Sequence, residues 1–133
     1  MKDQYFGDMN DYREYGLLRA LAATSGLRIG VCWMLTSDDA GGDGELRAYL
    51  TRPGKWRRYD PELYDALSGL LKWGTDRAVR HAQEWGLVPS AKYFEVLLRD
   101  DAAARQEYFA DAWERFAGCT GQGSGTPTGS SSS

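Results

Sequence analysis

Residues 1–35 read MKDQYFGDMNDYREYGLLRALAATSGLRIGVCWML, and this stretch decides the fold because it passes from an amphipathic helix into an apolar strand. From Tyr15 onward, apolar residues recur at helical rather than strand spacing. They are Tyr15, Leu17, Leu18, Ala20, Leu21 and Ala22. The pattern predicts a helix with one buried face that begins near Asn10 or Asp11. Asp11 and Glu14 have capping-box spacing, and Gly26 is suited to end the helix.

A short apolar run follows the helix, Arg28–Leu35 (RIGVCWML), and it ends at a Thr-Ser-Asp-Asp turn. A run of this length and composition predicts a β-strand buried on both faces. Such a strand needs helices packed on either side, so the sequence predicts a layered α/β arrangement.

Three more helices and one extended segment are expected in the second half of the chain. Asp60-Pro61-Glu62 is a strong helix start, and helices are also expected over residues 76–85 and 102–117, the last capped by Asp100 or Asp101. Their predicted buried residues are Leu63, Tyr64, Leu67, Leu70 and Leu71, then Ala78, Val79, Ala82 and Trp85, then Ala104, Tyr108, Ala112, Trp113 and Phe116. Residues 88–98 are expected to contain an extended segment.

Length and composition indicate one domain or part of one, so residues 1–117 are expected to form a single α/β domain or the N-terminal part of one. The chain has 133 residues, a hydrophobic share of 42% and a net charge of −3. No apolar run is long enough to span a membrane and no leader peptide is visible, so a cytoplasmic protein is expected. Cys32 and Cys119 lie in unlike settings and are not expected to form a disulfide. His81, the single histidine, is expected at the surface or half-buried.

Two acidic stretches are candidate ligand sites. The first surrounds the start of the chain and holds Asp3, Asp8, Asp11 and Glu14 among Tyr5, Phe6, Tyr12 and Tyr15. Its carboxylates suit either a ligand or metal pocket or the capping of the first helix. The second is the loop 36–45 (TSDDAGGDGE), which follows the first strand, where ligands bind in open α/β sheets. The alternative for this loop is a solvated connection.

A basic aromatic patch, residues 47–59, contains the clearest cluster of cations. It holds Arg47, Arg52, Lys55, Arg57 and Arg58 with Tyr49, Trp56 and Tyr59 among them. Cations beside aromatic faces suit phosphates and stacked bases. In the alternative interpretation, the arginine stems only cover Trp56 while their charged ends stay in water.

The motifs KDQYFGDMNDYREYGLLRAL, IGVCWMLTSDD and YDPELYDAL resemble an uncharacterised family of bacterial proteins, and the similarity runs through Ala117. In that family the chain continues into a strand and an Asp-Pro-Asp-Asn-Gly-like motif. Here Gly118–Ser133 (GCTGQGSGTPTGSSSS) follows, a segment predicted to be disordered. The codons of residues 125–129, read two bases in, can spell Asp-Pro-Asp-Gly. We therefore expect an N-terminal fragment with an out-of-frame tail.

More remotely, YFGDMNDYREYGLLRAL ahead of a strand is similar to the start of the ribosomal-RNA adenine methyltransferases. That resemblance implies a helix-rich, Rossmann-like fragment with a few strands and about four to five helices. It implies S-adenosylmethionine as the cofactor of a full-length relative. The candidate cofactor-binding residues are Tyr5, Asp8, Asp11, Asp38, Asp39 and Asp43. The sequence departs from the family pattern at Glu14-Tyr15 and in the acidic loop.

Two functional hypotheses follow, beside a less favoured metal-dependent nuclease. In the first, the chain is part of a methyltransferase-like enzyme that modifies nucleic acid. In the second, it is a non-enzymatic module that binds nucleic acid or protein through the basic aromatic patch. The candidate nucleic-acid-binding residues are Arg52, Lys55, Trp56, Arg57 and Arg58. Self-association through an exposed sheet edge is also expected.

Overall fold

The computed structural model describes residues 1–41, 44–72 and 77–120, with side chains through Ala117. The described residues form five helices and a two-stranded parallel sheet. The elements are α1 (Met9–Ser25), β1 (Gly30–Cys32), α2 (Pro53–Trp56), α3 (Pro61–Lys72), α4 (Arg80–Glu84), β2 (Lys92–Phe94) and α5 (Ala102–Thr120). Short 3-10 turns cover Asp3–Tyr5, Ala48–Thr51 and Arg57–Tyr59. In this part of the chain, none of the helices combines the length and the apolar character needed to cross a membrane.

Helix α1 is capped by Asp8, so the predicted capping box at Asp11 is wrong. One oxygen of the Asp8 carboxylate accepts the backbone N–H of Asn10 at 2.8 Å and that of Asp11 at 3.1 Å. The carboxylate thereby satisfies two of the N–H groups that the first turn of a helix leaves unpaired. The other end is as predicted, because Gly26 follows Ser25 with a φ of 67°.

Aromatic residues, rather than the leucine stripe, form the buried face of α1. Tyr12 and Tyr15 are buried, whereas Leu17 is 61% and Leu21 is 41% exposed, contrary to prediction. The Tyr12 ring stacks on Tyr49 at 5.2 Å between ring centroids, and it meets Tyr64 of α3 edge-on. The core contacts of α1 are thus made by large rings in its first half, where it packs against α3.

Strands β1 and β2 pair in parallel, with Gly30 opposite Lys92 and Cys32 opposite Phe94. The parallel pairing confirms an α/β arrangement and an extended segment within residues 88–98. The prediction of a strand buried on both faces is wrong, since Gly30 is exposed and Val31 is only half-buried. A pair of strands cannot be covered as completely as the centre of a larger sheet. A Rossmann-like sheet stays a prediction, because the described residues form only these two strands.

Helix α3 begins as predicted, with the N–H of Leu63 donating to Asp60 at 3.2 Å. The buried residues of α3 are Leu63, Tyr64, Leu67 and Leu70, and Leu71 is half-buried. Helix α4 is shorter than predicted and begins at Arg80, whereas residue 76, the predicted start, lies outside the described residues. Trp85 follows α4 and is 60% exposed, so its predicted burial is wrong.

His81 on α4 is buried, contrary to prediction, with 6% of its surface exposed. Its ring centroid lies 5.8 Å from that of Phe6, and its Nδ1 lies 2.9 Å from Glu84. A partner for the imidazole and an aromatic neighbour allow this polar side chain to be buried.

Helix α5 is capped by Asp101, as predicted, through a 2.7 Å hydrogen bond from the N–H of Ala104. Tyr108 and Ala112 pack with Phe94 of β2 in a second hydrophobic cluster. Trp113 lies one position farther round the helix and is 76% exposed, so its predicted burial is wrong. The helix continues through Thr120, which corrects the predicted boundary at Ala117. The rest of the predicted disordered tail lies outside the described residues.

Candidate nucleic-acid interface

The two acidic stretches predicted as ligand sites lie against each other. Gln4 donates its backbone N–H to Asp38 at 3.1 Å and accepts the N–H of Asp39 at 2.8 Å. Lys2 forms an ion pair with Asp39. Gly44 has a φ of 86°, and a Cβ there would lie 2.6 Å from the carbonyl oxygen of Gln4, so glycine is required for this close approach. Asp38 and Asp39 are therefore occupied in joining the loop to the start of the chain.

Asp11, another proposed cofactor residue, is buried beneath this junction. It is 4% exposed, and it accepts the backbone N–H of Gly7 at 2.8 Å. The pKa of Asp11 is raised to about 7, chiefly by burial. The carboxylates of Asp8 and Glu14 also raise it, and the Gly7 hydrogen bond and Arg77 lower it. Asp11 therefore supports the backbone rather than facing an open pocket.

Arg77 holds the same junction from the opposite side, a role that was not predicted from the sequence. Its guanidinium donates from Nε and Nη2 to the carbonyl oxygen of Phe6, both at 3.0 Å. It also donates to the carbonyl oxygen of Gly44 at 2.6 Å and forms an ion pair with Glu45. One side chain thus joins the start of the chain to the segment that follows the acidic loop.

These contacts leave no open acceptor set for S-adenosylmethionine among the predicted residues that the structure describes. Asp8 and Asp11 bind backbone N–H groups, and Asp38 and Asp39 bind Gln4 and Lys2. Tyr5 is half-buried in the first 3-10 turn, and Asp43 lies outside the described residues. Across residues 1–41, 44–72 and 77–120, there is no group of His, Cys, Asp and Glu side chains arranged to hold a metal ion.

The structure divides the basic aromatic patch into paired and unpaired cations. Arg57 forms a two-pronged ion pair with Asp65, at 2.9 and 2.8 Å, and Arg47 pairs with Glu45. Tyr49 is only 2% exposed and belongs to the core. Three exposed cations of the patch form no ion pair with a described carboxylate: Arg52, Lys55 and Arg58.

Trp56 and Tyr59 each have a cation over the ring. The Nζ of Lys55 lies 5.0 Å from the Trp56 ring centroid, and the guanidinium carbon of Arg58 lies 5.1 Å from that of Tyr59. The two rings are 6.1 Å apart with planes 47° apart, so they do not stack on each other. Trp56 is half-buried and Tyr59 is 64% exposed. Positive charge and accessible aromatic surface therefore lie together.

An open cavity of about 420 Å³, the Tyr12–Tyr59 groove, lies between α1 and this segment. Its lining residues are Tyr12, Arg13, Gly16, Trp56, Tyr59 and Asp60. The volume is in the range of small-molecule sites. The Tyr12 hydroxyl donates to the carbonyl oxygen of Trp56 at 2.7 Å and accepts the N–H of Asp60 at 3.2 Å. The Tyr12 hydroxyl thereby fixes Trp56 and Asp60, which form the far wall of the groove, to α1.

Half of this groove was not predicted from the sequence. The patch supplies Trp56 and Tyr59, but Tyr12, Arg13 and Gly16 come from α1, far away in the chain. The available signal was Gly16, a residue of low helix propensity that lies inside a helix and lines the groove. Scans against protein-family models, the curated proteins and the solved structures each found no match.

Proposed function

We propose that this protein binds nucleic acid through the basic aromatic patch. The observation that carries the proposal is the pairing of two unneutralised cations with two rings, one half-buried and one exposed, that line an open groove. Lys55 and Trp56, and Arg58 and Tyr59, form the two pairs. Phosphates supply the charge that such cations attract, and bases supply flat faces for the rings.

The net charge of −3 is compatible with this function because the charge is unevenly distributed. The acidic residues next to the patch are already neutralised: Asp60 by Arg19 at 2.7 Å and Asp65 by Arg57 at 2.8 Å. Arg13, across the groove, adds a further cation without an ion pair to any described carboxylate. Local charge, rather than total charge, determines the contact with phosphates.

Fluorescence anisotropy with a labelled short oligothymidylate tests the proposal directly. With three phosphate contacts, affinity is expected to fall about 20-fold between about 50 mM and about 200 mM salt. Arg58→Glu is expected to weaken binding at low salt and to reduce the salt dependence, because one phosphate contact is lost. Affinity that changes with neither salt nor this substitution would overturn the proposal.

Two further variants separate the patch from a general charge effect. Arg99→Glu makes the same change in net charge on an exposed residue that lines a different cavity, and it is expected to leave affinity nearly unchanged. Arg57→Glu removes a cation that Asp65 already neutralises. We expect a smaller effect on binding than Arg58→Glu gives, and only a small loss of stability from repulsion between the two exposed acids.

A methyltransferase-like enzyme stays a prediction supported only by the parallel strands and by the position of the acidic loop after β1. Since the described carboxylates proposed for the cofactor are occupied, calorimetric titration with S-adenosylmethionine is expected to give no binding heat. Measurable heat would make that hypothesis the stronger one.

A further inference from the structure

We infer that the Tyr12–Tyr59 groove receives an unstacked base of a single-stranded nucleic acid, an inference that rests on the proposed function and names its ligand. Binding of phosphates needs only the cations of the patch, so it gives no reason for an open groove lined by aromatic rings. Cations alone would bind a duplex or a single strand. Aromatic walls around an open cavity favour a ligand with an exposed flat ring.

Gly16 lines the groove and adds no side chain to it. A Cβ at Gly16 would meet only Leu63 Cδ2, at 3.9 Å, which is ordinary contact distance. Glycine inside a helix is destabilising relative to alanine, and neither the left-handed conformation nor a close backbone contact requires it here. Because Gly16 has no side chain, the surface of α1 does not project into the groove between Tyr12 and the basic aromatic patch.

The far wall is held in place without help from a ligand. The Tyr12 hydroxyl bonds both to Trp56 and to Asp60, and burial raises the pKa of Tyr12, so that the hydroxyl keeps the proton it donates. The Asp60 side chain is engaged by Arg19 and by the start of α3. A preformed wall lowers the ordering cost that binding would otherwise require.

The surrounding charges complement a phosphate backbone. Arg13 lies on α1, and Lys55 and Arg58 lie beside the two rings across the groove. Phosphates on either side of an inserted base would meet cations from both walls. Bases inside a duplex present edges rather than faces, so this arrangement favours single strands or flipped bases over intact duplex.

Three probes of equal length test the inference: oligothymidylate, a duplex containing that strand, and an abasic strand with the same phosphates. Wild-type protein is expected to bind oligothymidylate at least about 5-fold more tightly than the abasic strand, as stacking of one base implies. Tyr59→Ala is expected to remove most of that difference while leaving affinity for the abasic strand nearly unchanged. Tyr59 is largely exposed, so this variant is expected to fold.

Gly16→Met tests the cavity itself, with Gly16→Ala as the matched control. The longer side chain is expected to weaken oligothymidylate binding at least about 5-fold, whereas alanine adds one methyl group and leaves binding nearly unchanged. Circular dichroism establishes whether Gly16→Met folds; if it does not, the Tyr59→Ala comparison decides.

The result that overturns the inference differs from the one that overturns the proposed function. Equal affinity for the abasic strand and oligothymidylate, with salt and Arg58→Glu still weakening both, would sink the base pocket and leave phosphate binding intact. Tighter binding of the duplex than of oligothymidylate would also overturn the base pocket. Absence of salt-dependent binding to all three probes would overturn both.

Discussion

The carboxylate of Asp11 accepts the backbone N–H of Gly7 at 2.8 Å, across the turn that leads into α1. This contact lies in the core, where the charge of Asp8 raises the pKa of Asp11 and the charge of Arg77 lowers it. A buried carboxyl group in such surroundings favours its neutral form. The turn that positions the start of the chain therefore depends on a group that gains and loses its proton near neutral pH.

Asp11→Asn is expected to remove a pH dependence of stability. The folded-state pKa, about 7, is above the ordinary value of 3.8, so the folded protein holds a proton that the unfolded chain has lost between those values. The stability from this proton is complete below the unfolded-chain pKa and is lost as the pH rises through about 7. Above that pH the variant should be more stable than wild type, on the order of 4 kcal/mol.

Urea denaturation at a series of pH values measures this effect. Asp111→Asn, on an exposed position of α5, provides the control and should leave the pH profile unchanged. A wild-type slope that persists in Asp11→Asn would assign the pH dependence to another group.

Arg77→Lys is expected to loosen the junction between the start of the chain and residues 44–46. Lysine cannot reproduce the fork that reaches the carbonyl oxygens of Phe6 and Gly44. We expect a loss of about 1 to 3 kcal/mol in the free energy of unfolding. Hydrogen exchange should accelerate in peptides that cover this junction, whereas Arg105→Lys, at an exposed ion pair with Asp100, should change neither quantity.

Tyr12→Phe is expected to affect both folding and binding, because its hydroxyl joins α1 to the wall of the groove. Stability should fall by about 1 to 2 kcal/mol, and oligonucleotide binding should weaken about 5-fold. Tyr64→Phe is the matched control, since its hydroxyl donates to the carbonyl oxygen of Tyr49 outside the groove lining. It should lose similar stability and keep its affinity; equal loss of affinity in both variants would argue against a positioning role for Tyr12.

Two aromatic substitutions on α5 should differ sharply in their effect on thermal stability. Tyr108→Phe leaves the backbone N–H of Met34 without the hydroxyl that it bonds at 3.0 Å, and should cost about 1 to 2 kcal/mol. Trp113→Gln changes a ring that is 76% exposed and should cost less than about 0.5 kcal/mol. Calorimetric melting curves compare them; a larger cost for Trp113→Gln would mean that this ring packs against another surface in solution.

Features encoded by neighbouring residues were predictable from the sequence. The caps at Asp60 and Asp101 and the end of α1 at Gly26 each depend on a few adjacent residues. The cap at Asp8 was missed because Asp8 and Asp11 both satisfy the local rules. The choice between them depends on the turn at Gly7, which burial in the core fixes.

Features that depend on distant contacts were not predictable. Leu17 and Trp113 fit the same helical stripes as Tyr15 and Tyr108, yet only the two tyrosines are buried. Tertiary packing also buries Tyr12, which the predicted stripe did not include. The candidate site shows the same division. The basic aromatic patch is a continuous run of residues and could be read from the sequence. The α1 surface beside it could not, because it is brought there by hydrogen bonds from Tyr12 to Trp56 and Asp60, which lie far away in the chain.

The parallel pairing of Gly30 with Lys92 also constrains the order of folding. A hairpin can form as soon as two neighbouring strands exist, but about half of the domain separates these two partners in the chain. Closing so long a loop carries an entropy cost, and pairings of high contact order form slowly. Helices α1 and α3 can dock while β2 is still unformed, so the sheet is expected to be the last element to assemble. During synthesis, β1 must wait unpaired until Phe94 has left the ribosome.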